Sequence, residues 1–437
     1  MTRSKSVEAF KRGLNVFPDG TTRITIERDP YPIYAARGEG AALFDVDGRR
    51  FLDLHGNFTA LINGHAFAPV VEAVTRQLRD GTCFANPTEA EIALAALICG
   101  RIPGVERLRF VNSGTEAVMF AVKAARAMTG RPAIAKIEGA YHGGYDWVEV
   151  SQTSASTNWG PPHAPANTSY YRGMPERVLD DVVTLRFNDA EGAAALIEQH
   201  ADRLAAVLLD PMPSRAGLIE PTPAFVTAIQ QTAARHGVLV IADEVLNLRQ
   251  SYHGASARIG LKPDIVALGK IIGGGFPIGA IGGLADIMDV FSKKPGGPLV
   301  PQGGTFSANP VSMVAGRAGM EALTPAVFDR LAAAGDTVRS GLRQSISRHG
   351  LSFSVTGAAS LLRVHAKAVA PLDYRDAVET PAERAAISRY VNHFIEAGLL
   401  VPASGMICLS TPMTEEDLQL IIETFDAYAA LEAQQAT

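Results

Sequence analysis

The most reactive side chain expected in this 437-residue sequence is Lys270, which follows the apolar run Pro263-Asp264-Ile265-Val266-Ala267-Leu268-Gly269 and precedes Gly273-Gly274-Gly275. A lysine at the end of a buried strand, beside glycines that admit a bulky ligand close to the backbone, is poorly explained as a solvated surface charge. Burial lowers the pKa of an ammonium and frees the amine to attack a carbonyl. A Walker-type phosphate lysine does not fit, because the G-x-x-x-x-G-K spacing and the following Ser or Thr are both missing. Asp243 ends a second apolar run, Val238–Ala242, and in a parallel sheet its carboxylate reaches into the same crevice. A buried acid needs a cation or strong hydrogen bonds. A protonated pyridine nitrogen is one such cation, and keeping it protonated makes the ring an electron sink; a core or helix-capping acid is the plainer alternative. A metal site built from Asp210, Asp243 and Glu244 is disfavoured, since no histidine falls at ligand spacing on these strand ends, and no metal is expected.

Arg109-Phe110-Val111-Asn112-Ser113-Gly114-Thr115-Glu116-Ala117 leads from a strand through small residues into a helix. Such a turn offers free backbone N–H groups and two hydroxyls to a phosphate, although an ordinary N-cap with Glu116 in the first turn has the same sequence. Tyr141-His142-Gly143-Gly144 can lay an aromatic ring over a flat ligand, while a lone aromatic is more often core. Gly303-Gly304-Thr305-Phe306-Ser307 is either a second phosphate contact or a plain glycine turn. Asp45-Val46-Asp47-Gly48 is no calcium loop, lacking the third ligand pair and the closing Glu.

These residues need a scaffold. Leu108–Val111, Ala205–Leu209, Val238–Ala242 and Ile265–Leu268 have the length and continuous apolarity of parallel strands covered on both faces by helices. Ligands bind beyond the carboxyl ends of such strands, and there stand the 112–115 turn, Asp210, Asp243-Glu244 and Lys270. Val70–Arg79 and Glu89–Ile102 read as amphipathic helices; Ile24–Glu27, Ala42–Asp45 and Arg50–Leu54 read as strands, with Asp47-Gly48 as the turn between the latter two. Ser151–Tyr170, rich in Ser, Thr, Asn and Pro, reads as a functional loop or lid, or else a solvated insertion. After Gly319 helical patterns return, and Ser352–Arg363 and Leu399–Ser410 are predicted strands of a smaller domain.

Composition narrows the class. With 47% hydrophobic and 19% charged residues the chain is globular, and a net charge of −5 without a basic block argues against nucleic acid. Three cysteines, none in a C-x-x-C pair, indicate neither a disulfide framework nor a thiolate zinc site and point to a reducing compartment. Residues 1–13 lack the apolar core of a signal peptide and no run approaches the roughly 18 apolar residues of a membrane span, so no membrane is expected and the cytoplasm is the expected location.

Taken in order, Asn112-Ser113-Gly114-Thr115-Glu116-Ala117, Tyr141-His142-Gly143, Asp243-Glu244-Val245, Leu268-Gly269-Lys270 with Gly273-Gly274-Gly275, and Gly303-Gly304-Thr305-Phe306-Ser307 resemble the class III aminotransferase family. The similarity spans nearly the whole chain and includes Arg37-Gly38-Glu39-Gly40 before Asp45-Val46-Asp47-Gly48. Its details resemble the branch holding glutamate-1-semialdehyde aminomutases and β-phenylalanine-type aminotransferases. The resemblance implies an α/β chain of fold type I for pyridoxal 5′-phosphate (PLP): a mostly parallel central sheet covered by helices (residues 71–320), with a smaller α+β domain from both chain ends (1–70 and 321–437). It implies a homodimer with active sites at the interface. Lys270 would be the Schiff-base lysine, Asp243 the pyridinium partner, and Val245 the packing behind the ring. Ser113, Gly114 and Thr115 would hold the phosphate, with Thr305 joining from the neighbouring subunit, while Tyr141, followed by His142, stacks on the ring.

The implied reaction moves an amino group from a β-amino acid or related amine to a small 2-oxo acid, pyruvate or 2-oxoglutarate. Pro18-Asp19-Gly20-Thr21-Thr22-Arg23 resembles the family's entry loop, which gives Arg23 the substrate carboxylate, with Phe58 nearby in Gly56-Asn57-Phe58-Thr59. A surface arginine on a strand edge is the alternative. The segment Leu399–Ser410 has no arginine for an α-carboxylate. A glutamate-1-semialdehyde 2,1-aminomutase is the second reading, against which Phe58 and Ser404-Gly405 stand where that branch has a tryptophan segment and a carboxylate. Asp210-Pro211 and Ser214 depart from the family's usual Glu-Pro and Asn. A non-catalytic, doubly wound ligand-binding protein is the third.

Overall fold

A computed structural model describes residues 4–26 and 28–436. Among the described residues fourteen strands run in chain order: β1 Ala35–Glu39, β2 Ala42–Asp45, β3 Arg50–Asp53, β4 Arg107–Val111, β5 Ala133–Ile137, β6 Val182–Leu185, β7 Leu204–Leu209, β8 Leu239–Asp243, β9 Ile265–Gly269, β10 Gly279–Gly283, β11 Ser354–Thr356, β12 Leu361–His365, β13 Leu399–Leu400 and β14 Met406–Cys408. Seven of them form the central sheet in the order β4-β10-β9-β8-β7-β5-β6. Strands β5 to β9 are mutually parallel, and β10 runs antiparallel between β9 and β4.

Alternation along each strand divides the core between the two faces of this sheet. Ala206 and Leu208 of β7, Ile241 of β8 and Ala267 of β9 pack with Ala117, Ala121 and Ala124 of the helix Gly114–Thr129. Their neighbours Val207, Leu209, Val240 and Ala242 turn the other way, onto Phe225, Val226 and Ile229 of the helix Pro223–His236. Because both faces are covered, both parities are apolar, which is why these strands read as unbroken runs.

Two small sheets lie outside this layer. One, β1-β2-β3-β13, pairs residues 35–53 with 399–400; the other is β11-β12-β14. The Asp47-Gly48 hairpin forms as expected, with Asp45 Oδ1 accepting from the N–H of Asp47 and Arg49. The expected strand at Ile24–Glu27 does not form: Ile24–Ile26 is a 3₁₀ turn, closed by Ile26 N–H to Arg23 O (3.3 Å), and Glu27 lies outside the described residues. Local hydrogen bonding, including Thr21 Oγ1 to Arg23 O (3.2 Å), wins over β-branched propensity there. Ser352–Arg363 and Leu399–Ser410 each break into two short strands.

The 151–170 segment has no regular structure, yet it is fastened. Ser151 Oγ donates to Ala166 O, Ser154 Oγ to Glu138 Oε1, and Arg375 donates to the carbonyls of Trp159 and Gly160. Among the described residues no helix is long and apolar enough to cross a membrane.

Candidate active site

Strands β7, β8 and β9 end side by side, and the residues following each run converge on a cavity of about 340 Å³. Lys270, Asp243, Asp210, Ser113, Gly114, Thr115, Tyr141, His142, Val245, Phe58 and Arg23 all line it. Thr305 does not: it lines a separate recess with Cys83, Phe84 and Glu91.

Lys270 leaves β9 with a left-handed backbone, φ +50°, as it enters a 3₁₀ turn. A non-glycine residue there costs about 1 kcal/mol or more, and such strain gathers at functional sites. Among the described residues its amine makes no ion pair. Burial lowers its pKa from the ordinary lysine value, opposed only in part by the Asp243 and Asp210 carboxyls. The result is an amine readied to act as a nucleophile.

Asp243, at the end of β8, accepts from the Val245 N–H through Oδ1 (3.0 Å) and pairs through Oδ2 with His142 Nδ1 (2.7 Å). Burial holds the His142 pKa below its ordinary value despite the attraction of Asp243, so the ring is neutral at pH 7. A neutral ring facing a carboxylate must carry its proton on Nδ1, which leaves His142 Nε2 buried and without a partner. Asp210 follows β7, next to β8. Burial first and the Asp243 charge second push its carboxyl well above the usual range, and Oδ1 accepts from Met212 N–H and Asn247 Nδ2.

Opposite lies the turn from β4 into the helix Gly114–Thr129. Ser113 is its N-cap, accepting from Glu116 N–H, and Glu116 reaches back to Asn112 N–H (2.9 Å). The ordinary N-cap and the anion cradle are thus one structure. Close packing shapes it: a Cβ on Gly114 would stand 2.6 Å from Val245 Cγ1, and one on Gly143 2.3 Å from Thr115 Oγ1.

The rim is built by Gly56–Thr59, a left-handed helical turn in which Asn57, Phe58 and Thr59 have φ of 46°, 55° and 73°. Arg23 donates to Asn57 Oδ1 (3.1 Å) and its guanidinium lies 5.8 Å from the Phe58 ring centroid. Tyr141 is 55% exposed at the mouth. Sequence reasoning missed the wall formed by Phe276, Pro277 and Ile278 and the lining role of Leu246. The wall directly follows the Gly273-Gly274-Gly275 run, and that adjacency was the available signal. It also missed Lys136, wholly buried in the apolar run of β5 and donating to Ile137 O and Val150 O, and the wholly buried Arg249.

These residues fit PLP. The site offers a buried free amine for an aldehyde, a carboxylate with a spare lone pair for a pyridinium N–H, and a helix N-terminus for a phosphate. The glycines at 114 and 143 let Val245 and Thr115 pack closely against the cradle, where a Cβ would clash. Among the described residues no His, Cys, Asp and Glu cluster could hold a metal ion.

A mostly parallel sheet of this order, with an amine, an acid and an N-terminal helix turn meeting beyond its strand ends, defines a PLP-dependent enzyme of fold type I. Residues 24–428 match the family described as aminotransferase class-III, and the chain belongs to that family, whose cofactor is PLP. It is 47% identical to an omega-transaminase from Sphaerobacter thermophilus, covering 99% of this chain and 98% of that one with a TM-score of 0.96. It is 32% identical to a β-phenylalanine aminotransferase from Variovorax paradoxus, covering 99% and 95% with a TM-score of 0.88. It is also 37% identical, over 96% of this chain and 97% of that one, to a glutamate-1-semialdehyde 2,1-aminomutase of Methanothermobacter thermautotrophicus.

Proposed function

We propose that this class III enzyme transfers an amino group from a β-amino acid or related carboxylate-bearing amine to a small 2-oxo acid, pyruvate or 2-oxoglutarate. The observation that carries the reading is Arg23, a guanidinium at the rim of the cavity that holds Lys270, oriented by Asn57 and Phe58. Likeness to the β-phenylalanine aminotransferase supports it.

In this reading Lys270 anchors the cofactor through its amine, Asp243 holds the ring nitrogen protonated, and Ser113, Gly114 and Thr115 grip the phosphate. Tyr141 and Val245 would pack against the ring. When bound, PLP supplies an electron sink that stabilises negative charge on the donor carbon. Lys270 Nζ, an amine on the cavity wall whose pKa burial lowers, would carry the proton taken from the donor carbon. His142 keeps Asp243 oriented through Nδ1. Burial and the neighbouring Asp243 charge push the Asp210 carboxyl upward, which weakens a second negative charge beside Asp243. Arg23 receives the donor carboxylate. Thr305 would reach the phosphate from a second chain, a reading supported by the exposed Phe84 in its recess and the exposed Phe306 next to it in sequence.

A donor panel tests the substrate. β-Phenylalanine with pyruvate or 2-oxoglutarate is expected to give amino-group transfer with kcat/KM well above that for 1-phenylethylamine, which lacks only the carboxylate; equal rates would remove Arg23 from recognition. The aminomutase relatives support a second reading. Incubation with glutamate-1-semialdehyde and no acceptor separates the two, since formation of 5-aminolevulinate would favour the mutase.

A further inference from the structure

The left-handed turn Gly56–Thr59 runs against the preference of three consecutive non-glycine residues, so something must hold it. Two buried charged side chains grip its ends. At the start, Asp53 Oδ1 accepts from the N–H groups of His55 (2.9 Å) and Gly56 (3.0 Å), while Oδ2 pairs with His65 Nε2 (2.7 Å). At the close, Arg249 Nη1 donates to Thr59 O (2.9 Å). Between these grips the turn presents Asn57 and Phe58, the two residues that touch Arg23.

Arg249 is wholly buried, and no carboxylate pairs with it among the described residues. Its remaining donors go to Cys408 Sγ (2.7 Å), Ser360 Oγ (3.1 Å) and Leu409 O. A guanidinium with only a thiol, a hydroxyl and carbonyls as partners bears a large desolvation cost. Stability alone gives little reason to keep it, because an apolar side chain of the same volume avoids that cost. What an apolar residue cannot do is tie Thr59 to the 408–409 segment through one rigid fork.

We propose that Arg249 and Asp53 are positioning residues for donor recognition: they clamp the strained 56–59 turn so that Asn57 and Phe58 aim Arg23 at the donor carboxylate. The inference rests on the Arg23 reading above. Neither clamp residue lines the cavity, so each reaches the donor carboxylate through the turn; the Arg249 charge also lowers the Lys270 pKa, an effect that falls on both donors alike.

The test uses the PLP-loaded enzyme and the matched donors β-phenylalanine and 1-phenylethylamine. Arg249→Met should keep the visible absorbance of bound cofactor and the kcat for 1-phenylethylamine. Its KM for β-phenylalanine should rise about tenfold or more, as expected when a positioning element shifts by a fraction of an ångström. Adding Thr59→Gly, which removes the side-chain penalty of φ 73°, should restore part of that loss. Should Arg249→Met not fold, Arg249→Lys, which keeps one donor for Thr59 O, carries the same expectation at smaller amplitude. Equal losses on both donors, or no rescue by glycine, would overturn the clamp and leave Arg249 as a structural residue only. Arg23→Gln is the control. If it leaves the preference for β-phenylalanine intact, the Arg23 reading fails; if it abolishes the preference and the Arg249 variants do not lower it, the clamp alone fails.

Discussion

Single residues carry the chemistry through their surroundings. Lys270→Ala, which removes the proposed anchor and proton carrier, should retain cofactor noncovalently and lose about 10³-fold or more in turnover. Borohydride treatment followed by mass spectrometry should fix the cofactor to the native chain and not to the variant. Lys136 offers a test of burial itself. Burial first, and the Arg215 charge second, bring its pKa to about 7, against 10.5 for an ordinary lysine. The neutral amine has two N–H groups, matching the two carbonyls it meets. Between those pH values the unfolded chain holds the extra proton. Stability from this group therefore rises with pH across roughly 7 to 10 and is lowest below 7. Lys136→Met has nothing to ionise, so the rise in Tm between pH 7 and pH 9 should be smaller than in the native chain.

Elements decide what a sequence can show. The runs of β7, β8 and β9 were legible because a strand covered on both faces admits nothing else, whereas β4 lies at the sheet edge with Arg109 exposed; the residues closing each run were legible as a site because strand ends face a crevice. Ten of the eleven residues singled out by pattern and family likeness meet in one cavity. The left-handed turn at 56–59 was not legible, since Phe58 and Thr59 carry no left-handed signal to extend that of Gly56 and Asn57, and the turn is held by partners far along the chain. Ile24–Glu27 misled for a different reason, propensity yielding to local hydrogen bonds. Close packing of the phosphate turn also has a measurable outcome. Gly114→Ala would drive a methyl group to 2.6 Å from Val245 Cγ1. Its Kd for PLP, followed by absorbance titration, should rise tenfold or more, equivalent to about 1.4 kcal/mol, while the Tm of the cofactor-free chain stays close to native.

At the scale of the whole molecule, distant segments are stitched together by a few buried charges. Arg375 pairs with the buried Glu138 at the end of β5 while holding Trp159 O and Gly160 O, so the 151–170 segment is fastened where a mobile lid was one expectation. Arg375→Met leaves Glu138 buried and unpaired and should lower the unfolding free energy by about 3–5 kcal/mol; urea denaturation measures this, and adding Glu138→Gln should recover part of it.

The antiparallel strand β10 has one more effect. Gly279 is in register with Gly269 on one side and Val111 on the other, so the lysine end and the serine end of the cavity are separated by two inter-strand steps, roughly 9.5 Å. That interval is a gauge cut into the backbone ladder, indifferent to which side chains furnish the walls. Donor preference can therefore drift through residues such as Arg23, Phe58 or Ser214 while the span offered to the cofactor keeps its calibration.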